Sequence, residues 1–121
     1  MPSVKIDVKI SPSLLEGLPE ELISDEATML EIHNLFAKMC DPYVPFLEGP
    51  LSQTVEVRSD GNTYIQPYAR YQYYGTEFKH TLDYHPLASA KWDEAMMTDK
   101  GEEFLEQVKQ ILIRRANELY G

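Results

Sequence analysis

The sequence has little cysteine, little basic charge and no long hydrophobic run. Cys40 is the only cysteine among 121 residues, which excludes an internal disulfide framework and is typical of a reducing compartment. No uninterrupted apolar run approaches the roughly 20 residues that a membrane span needs. The stretch from Met1 to Asp7 has no apolar segment, so no secretory signal peptide is predicted.

Basic residues are few and scattered. Eleven Lys and Arg stand against 20 Asp and Glu, which gives a net charge of −9. Residues 1–50 alone carry nine acids and three bases, so most of the excess acid lies in the N-terminal half. Phosphate binding requires clustered bases, and Arg114-Arg115 is the only adjacent basic pair. The charge pattern therefore predicts neither sequence-specific nucleic-acid binding nor adhesion to an anionic membrane.

The remaining composition is that of a small globular protein. Apolar residues make up 43% and charged residues 26%, close to the average of globular domains. We expect a single domain over residues 1–121, with an N-terminal strand and turn in 1–18 and the main core in 19–121. The predicted class is α+β, with a small antiparallel sheet packed against a long N-terminal helix and a C-terminal helix.

The first 18 residues predict one strand and one helical turn. Apolar and polar residues alternate from Val4 to Ile10, the period-two pattern of a half-buried strand. Pro12 ends that strand and stands at the first position of a predicted turn, which Gly17 ends.

A long amphipathic helix is predicted at roughly residues 20–40. Either Pro19 or Ser24-Asp25 can begin it, since both are favoured at helix N-termini, and Pro42 ends it. The helix carries one apolar stripe at helical spacing, made of Met29, Ile32, Phe36, Met39 and Cys40. Cys40 lies on that stripe and is interpreted as a small buried hydrophobe rather than a nucleophile.

The centre of the chain predicts a packed loop over 43–50 and then a hairpin. Strand-like segments at Thr54–Val57 and Tyr64–Ile65 flank Asp60-Gly61, a strong turn signal. A short helix or turn is predicted at Tyr68–Tyr74, and an exposed loop at 76–86.

Two helical segments are predicted near the C-terminus. Trp92–Met97 fits a short helix in which Trp92 is buried with a partner for its N–H. A second helix begins at Asp99, where Glu102 three residues on completes a capping box. Its apolar stripe runs through Phe104, Leu105, Val108, Ile111, Leu112 and Leu119.

One group of residues could in principle form a metal site. Imidazole and carboxylate side chains at His80, Asp83 and His85 are suitable zinc or iron ligands. Their spacing matches no established ligand pattern, and a solvated polar loop explains them more simply. A small metal-dependent hydrolase that uses these three residues stays open as an alternative. No catalytic residue, cofactor site or metal site is predicted.

Tyrosine is concentrated in the middle of the chain. Five tyrosines occur between Tyr64 and Tyr74, more than a core of this size can bury. Tyrosine combines a large rigid contact area with a hydroxyl group and is enriched at protein interfaces. We expect two or three of the five to face the core and the others to contact a partner protein.

Three blocks of the chain resemble the minor capsid protein family of tailed bacteriophages. They are YVPFLEGPL at 43–51, PYARYQYYG at 67–75 and HPLASAKWD at 85–93. The family shows a similar YVP stretch after an N-terminal helix, then PYA and QYYG, then a tryptophan before a C-terminal helix. The resemblance covers residues 25 to about 115, and Glu48 departs from the threonine usual in the family.

The resemblance implies a structural protein of the virion neck or upper tail. Such a protein is made in the host cytoplasm, is not an enzyme and binds no cofactor. Its partners are other phage neck and tail proteins, and copies form a ring of six-fold or twelve-fold symmetry around the DNA channel from subunits that are monomeric in isolation. A non-virion regulatory module that binds a partner protein is the other alternative. The predicted interface residues are Tyr68, Arg70, Tyr71, Tyr73, Tyr74, His80 and His85.

Overall fold

The computed structural model describes residues 4–44, 55–64, 73–74 and 91–121. They form helices α1 (Glu26–Cys40) and α2 (Trp92–Tyr120), and a sheet of strands β1 (Val4–Ile6), β2 (Val55–Arg58) and β3 (Gly61–Tyr64). The predicted α+β class is confirmed. Across the described residues no helix combines the length and the apolar character needed to cross a membrane.

The sheet is antiparallel, with β3 between β1 and β2. Val4 and Val55 both lie opposite Tyr64. β1 is shorter than the strand predicted through Ile10, because its ladder with β3 ends at the Ile6–Asn62 pair. Val8, two residues after the end of β1, donates its N–H to the Nε2 atom of His33 at 2.9 Å and not to a carbonyl of a neighbouring strand.

The hairpin between β2 and β3 forms where the sequence predicts it. Its turn is Ser59–Asp60, and Gly61 begins β3 at φ = 149°, a conformation that favours glycine. A Cβ atom at Gly61 would lie 3.2 Å from the Ile6 carbonyl oxygen. The turn is also tied to β1, because Lys5 Nζ lies 2.9 Å from Asp60 Oδ2.

The second of the two predicted starts of α1 is correct. The residues before it form a separate 3-10 helix, Glu20–Ser24, and Asp25 caps α1 by accepting from the Thr28 N–H at 2.9 Å. The helix ends at Cys40 and leads into a 3-10 turn, Asp41–Tyr43. The predicted turn near the N-terminus is also present as a 3-10 helix at Pro12–Leu15, followed by Gly17 at φ = 81°.

The two predicted C-terminal segments are one helix with a kink. The break falls at Lys100, whose backbone is non-helical (φ −125°, ψ 17°), one residue after the predicted cap Asp99. The Asp99 carboxylate accepts a hydrogen bond from the Tyr43 hydroxyl, so the C-terminal end of α1 is fastened to the kink.

The core lies between α1, α2 and the sheet. Phe36 of α1 contacts Phe104 of α2 edge-on with ring centroids 5.2 Å apart. Most of the two predicted stripes is buried or half-buried. Leu105 and Leu119 are exceptions, with 40% and 44% of their surface exposed, because α2 presents only one side to α1 and these two residues lie beside the covered strip.

His33 joins α1 to the N-terminal segment and the sheet. Its ring is buried, with Nδ1 2.9 Å from the Met29 carbonyl oxygen while Nε2 accepts from Val8. This pairing requires the neutral ring with its proton on Nδ1. Asn62 Nδ2 donates to the His33 carbonyl oxygen at 2.9 Å. His33 is therefore a structural junction between α1, the N-terminal segment and the sheet.

The N-terminal end of α1 is tied to the C-terminal end of α2 by charged groups. Arg115 donates to Asp25 Oδ2 at 2.9 Å, to Glu118 Oε2 at 2.9 Å and to Thr28 Oγ1 at 3.1 Å. The Thr28 hydroxyl, followed by Arg115, lowers the pKa of Asp25 to about 2. Arg114 bridges Glu31 and Glu118 beside this network.

Candidate protein–protein interface

Tyr73 and Tyr74 are the two predicted interface residues within the described structure. They have helical backbone, and Tyr73 lies beside the first turn of α2. The Tyr73 carbonyl accepts from the Lys91 N–H at 2.8 Å, and its hydroxyl donates to Asp93 Oδ1 at 2.6 Å. Both ends of the Tyr73 residue are therefore fixed to the start of α2.

Four aromatic rings form a continuous chain from the core to the surface. Tyr64 of β3 contacts Trp92 edge-on at 5.0 Å, Trp92 contacts Tyr73 at 4.8 Å, and Tyr73 contacts Tyr74 at 4.9 Å. Trp92 is fully buried, Tyr73 is half-buried and Tyr74 is 58% exposed. We call Tyr64, Trp92, Tyr73 and Tyr74 the aromatic chain. The exposed ring of Tyr74 therefore packs against Tyr73, which is itself fixed to the start of α2.

The expected division of the tyrosines between core and surface is observed for the described members. Tyr64 is buried, Tyr73 is intermediate and Tyr74 is exposed. The other predicted interface residues, Tyr68, Arg70, Tyr71, His80 and His85, lie outside the described residues, as does the predicted loop 76–86.

Trp92 fulfils only half of its prediction. The ring is buried as expected, but its Nε1 atom has no hydrogen-bond partner among the described residues. Burial raises the pKa of the Tyr64 hydroxyl and an interaction with the Trp92 side chain opposes that rise, so Tyr64 comes closest to being the expected partner. The rings of Tyr64 and Tyr73 both contact the indole edge-on, so packing is the main contribution to holding this side chain.

The start of α2 is conformationally unusual. Lys91 immediately precedes the helix with φ = 48° and ψ = 56°, the left-handed region that non-glycine residues rarely adopt. Its N–H is bound to Tyr73, and its carbonyl accepts from the Ala95 N–H at 3.1 Å. Two backbone hydrogen bonds thus hold a conformation that is costly by itself.

Acidic side chains surround this helix start. Asp93 and Glu94 lie in the first turn of α2, where the helix dipole favours negative charge. Burial, and then the hydrogen bond to Asp93, raises the pKa of Tyr73 above its ordinary value. The hydroxyl therefore stays protonated and donates to Asp93 at neutral pH.

Residues considered for chemistry do not form a reactive centre in the described part of the chain. Cys40 is fully buried, and burial followed by the Asp93 charge raises the pKa of its thiol. Its interpretation as a small core residue is confirmed. The described ranges bring together no group of three His, Cys, Asp or Glu that could hold a metal ion. The alternative ligands His80, Asp83 and His85 are outside those ranges.

Sequence reasoning missed the partners that fix the aromatic chain. Lys91 and Asp93 were not selected, although both are essential to the position of Tyr73. The nearest signal was Asp93-Glu94 directly after the only tryptophan, which marks a helix start. Nothing in the sequence pairs that acid with a tyrosine 20 positions earlier.

Comparison with known proteins gives one finding. The profile of a family described as minor capsid protein matches residues 22–114, which include all of α1, β2 and β3 and most of α2. No curated protein and no solved structure matches the chain. Because the matched region covers well over half of the 121 residues, the chain belongs to the minor capsid protein family, the phage structural proteins that it resembles in sequence.

Proposed function

We propose that this protein is a head–tail connector subunit, placed in the neck or upper tail of a phage virion. In this proposal, copies assemble into a ring around the DNA channel, and the role is structural rather than catalytic. Membership of the minor capsid family supports a structural virion protein. The net charge of −9 supports a position next to DNA that must pass without binding, since acidic groups repel phosphate.

The observation that carries the proposal is the exposed end of the aromatic chain. Tyr74 leaves 58% of its surface accessible while its ring packs edge-on against Tyr73, whose carbonyl is bound to the Lys91 N–H and whose hydroxyl is bound to Asp93. A side chain that packs on a fixed neighbour loses less entropy when a partner buries it. Aromatic residues of this kind supply much of the binding energy in protein interfaces. We therefore assign Tyr74 to the contact with a neighbouring subunit.

The remaining predicted interface residues belong to the same proposal. Tyr68, Arg70 and Tyr71 precede Tyr73 and Tyr74 in one block of the sequence, and His80 and His85 follow it. The proposed partners are further copies of this chain and other neck and tail proteins. Single substitutions at these positions extend the test described for Tyr74.

The test is Tyr74→Ala in the phage that encodes the protein. We expect the yield of infectious tailed particles to fall by at least about tenfold, because an interface aromatic contributes 2 kcal/mol or more. Tyr120→Ala is the matched control, since Tyr120 is 55% exposed at the other end of the molecule. The purified Tyr74→Ala protein should unfold at nearly the same temperature as the wild type. Normal particle yield with Tyr74→Ala would reject the assigned interface.

The position of the protein in the virion is tested separately by imaging. Electron microscopy of purified virions, with the protein labelled by a specific antibody fragment, should place the label at the junction of head and tail. Label distributed over the head shell would contradict a connector role while leaving the family assignment intact.

A further inference from the structure

The N-terminal segment contains a groove lined by both apolar and acidic residues. The groove has a volume of about 460 Å³, and its lining consists of Ile10, Pro12, Leu15, Leu18 and Ile23 together with Glu16 and Glu20. This volume falls within the range of about 300–1,000 Å³ usual for ligand clefts. Ile23 is 45% exposed, although it projects from a 3-10 helix whose neighbour Leu22 is fully buried.

The groove lies in the part of the chain that the family match does not cover. The match begins at residue 22, so nearly all of the lining precedes it. The segment is nevertheless anchored to the matched region, because Val8 is bound to His33 and β1 is paired with β3. In this attached segment Ile23 is exposed, and Ile10, Leu15 and Leu18 are only half-buried, so apolar surface remains that a partner can cover.

The charge around the groove defines the chemistry of its partner. Residues 10–26 contain five acids and no base. One of the five, Asp25, is paired with Arg115. Glu16, Glu20 and Glu21 are exposed, and no described residue forms an ion pair with them. We propose that this groove binds an apolar peptide segment flanked by lysine or arginine and carried by a protein other than this chain.

A second copy of this chain fits the groove poorly. The acidic groove calls for a basic partner, and each copy carries only 11 bases against 20 acids. The only adjacent basic pair, Arg114-Arg115, is already bound to Glu31, Asp25 and Glu118 of its own chain. A basic segment of a different protein supplies the complementary charge without breaking those pairs.

The experiment is a titration of isotope-labelled protein, followed by the NMR signals of the groove methyl groups. Three capped hexapeptides serve as probes, in which leucine alternates with lysine, serine or glutamate. We expect the lysine peptide to shift the signals of Ile10, Leu15, Leu18 and Ile23 saturably and to bind at least about tenfold more tightly than the glutamate peptide. The serine peptide should be intermediate, because it keeps the apolar contacts and lacks the charge.

Two groups of variants separate charge from apolar contact. Glu16→Gln with Glu20→Gln should weaken the lysine peptide by about three- to tenfold, the scale of two partly exposed ion pairs, and leave the serine peptide unchanged. Glu94→Gln with Glu102→Gln removes the same charge from exposed positions on α2 and should have no such effect. Ile23→Ser should weaken both peptides.

The inference is overturned if the lysine and glutamate peptides bind equally, if the shifted signals lie away from the groove, or if the two acid double variants behave alike. The titration uses the isolated protein and does not depend on ring assembly. Its failure would leave the proposed connector function standing, and loss of that function would leave the groove standing.

Discussion

The two ends of the α1–α2 pair are fastened by different chemistry. Where α1 begins and α2 ends, Arg115 joins Asp25 and Glu118 in a partly exposed ionic network. Where α1 ends and α2 begins, tyrosine hydroxyls donate to carboxylates, Tyr43 to Asp99 and Tyr73 to Asp93. We call these the ionic end and the tyrosine end.

The difference follows from how much water reaches each end. Ion pairs in partly exposed positions contribute little and are screened by salt. At the tyrosine end Trp92 and Tyr64 are fully covered and Tyr43 is nearly so. A neutral hydroxyl can donate to a carboxylate there without the desolvation cost of a second charge. We therefore expect the tyrosine end to contribute more to stability than the ionic end, and Tyr73 at that end also positions the proposed interface residue Tyr74.

The largest expected effect is the loss of the buried indole at the tyrosine end. Trp92→Ala should lower the free energy of unfolding by about 3–5 kcal/mol, because it removes a large aromatic ring from a closed site. Urea unfolding followed by circular dichroism measures this loss. Native-state emission at the wavelength of fully hydrated tryptophan would contradict the burial on which the prediction depends.

A smaller loss is expected when only a hydroxyl is removed. Tyr43→Phe should lower the free energy of unfolding by about 0.5–1.5 kcal/mol at pH 7, since it deletes one hydrogen bond to Asp99 and keeps the ring. Tyr120→Phe, at an exposed position, controls for loss of a hydroxyl.

The same pair makes the tyrosine end sensitive to alkali. Burial, and then the hydrogen bond to Asp99, raises the pKa of Tyr43 from 10.0 to about 12. Because the pKa is raised on folding, the stability that the protonated Tyr43 hydroxyl contributes is fully present below pH 10 and is lost as the pH rises toward 12. Stability should therefore fall less steeply over that interval in Tyr43→Phe than in the wild type. Parallel profiles would show that Tyr43 does not contribute to the decline.

The stability contributed by the ionic end should decrease in acid, rather than in alkali, and should also decrease in high salt. Arg115→Gln should lower the urea midpoint at pH 7 and low salt, by less than Trp92→Ala. The folded-state pKa of Asp25 is about 2, against an ordinary 3.8. The stability that ionised Asp25 contributes is therefore present above pH 4 and is lost as the pH falls toward 2. The difference between variant and wild type should shrink at pH 2 and in 1 M NaCl.

Arg114→Gln is the matched control for the ionic end. Arg114 also makes two ion pairs, but its side chain is more exposed than that of Arg115, so its loss should be smaller. An equal loss in both variants would show that burial does not distinguish the two arginines.

The smallest expected effect on stability is at the exposed end of the aromatic chain. Tyr74→Ala should change the free energy of unfolding by no more than about 0.5 kcal/mol. Tyr73→Ala should cost clearly more, because it also removes the hydrogen bond to Asp93 and the contact with Trp92. Equal losses of stability in the two variants would show that both tyrosines are in similar environments. That result would contradict the proposed division between a core tyrosine and an interface tyrosine.

The local elements could be predicted from neighbouring residues. Apolar spacing of 3.6 residues places α1, Asp25 is recognisable as a cap, and Asp60-Gly61 marks the hairpin. The capping signal at Asp99 also located the kink in α2 to within one residue. Each of these patterns is enforced by backbone geometry over a few positions, so it is visible without knowledge of the fold.

The candidate interface could be predicted only in part. Tyrosine density indicated a surface contact, but the sequence could not say which of Tyr73 and Tyr74 faces outward. That depends on the Tyr73 carbonyl meeting the Lys91 N–H and on its hydroxyl reaching Asp93. The groove was not predicted at all, although all of its lining lies within residues 10–23, because two short 3-10 helices and the residues around them form it and leave no period-two or helical pattern in the sequence.

The sequence by itself determined the helices, the hairpin, the acidic character and the family. The tertiary structure alone decided where β1 stops, that His33 is a junction, and that Arg115 reaches Asp25 across 90 positions of the chain. Periodicity and capping report interactions between residues a few positions apart. Ion pairs, ring contacts and hydrogen bonds between distant residues depend on how the elements pack, and no local pattern carries that information.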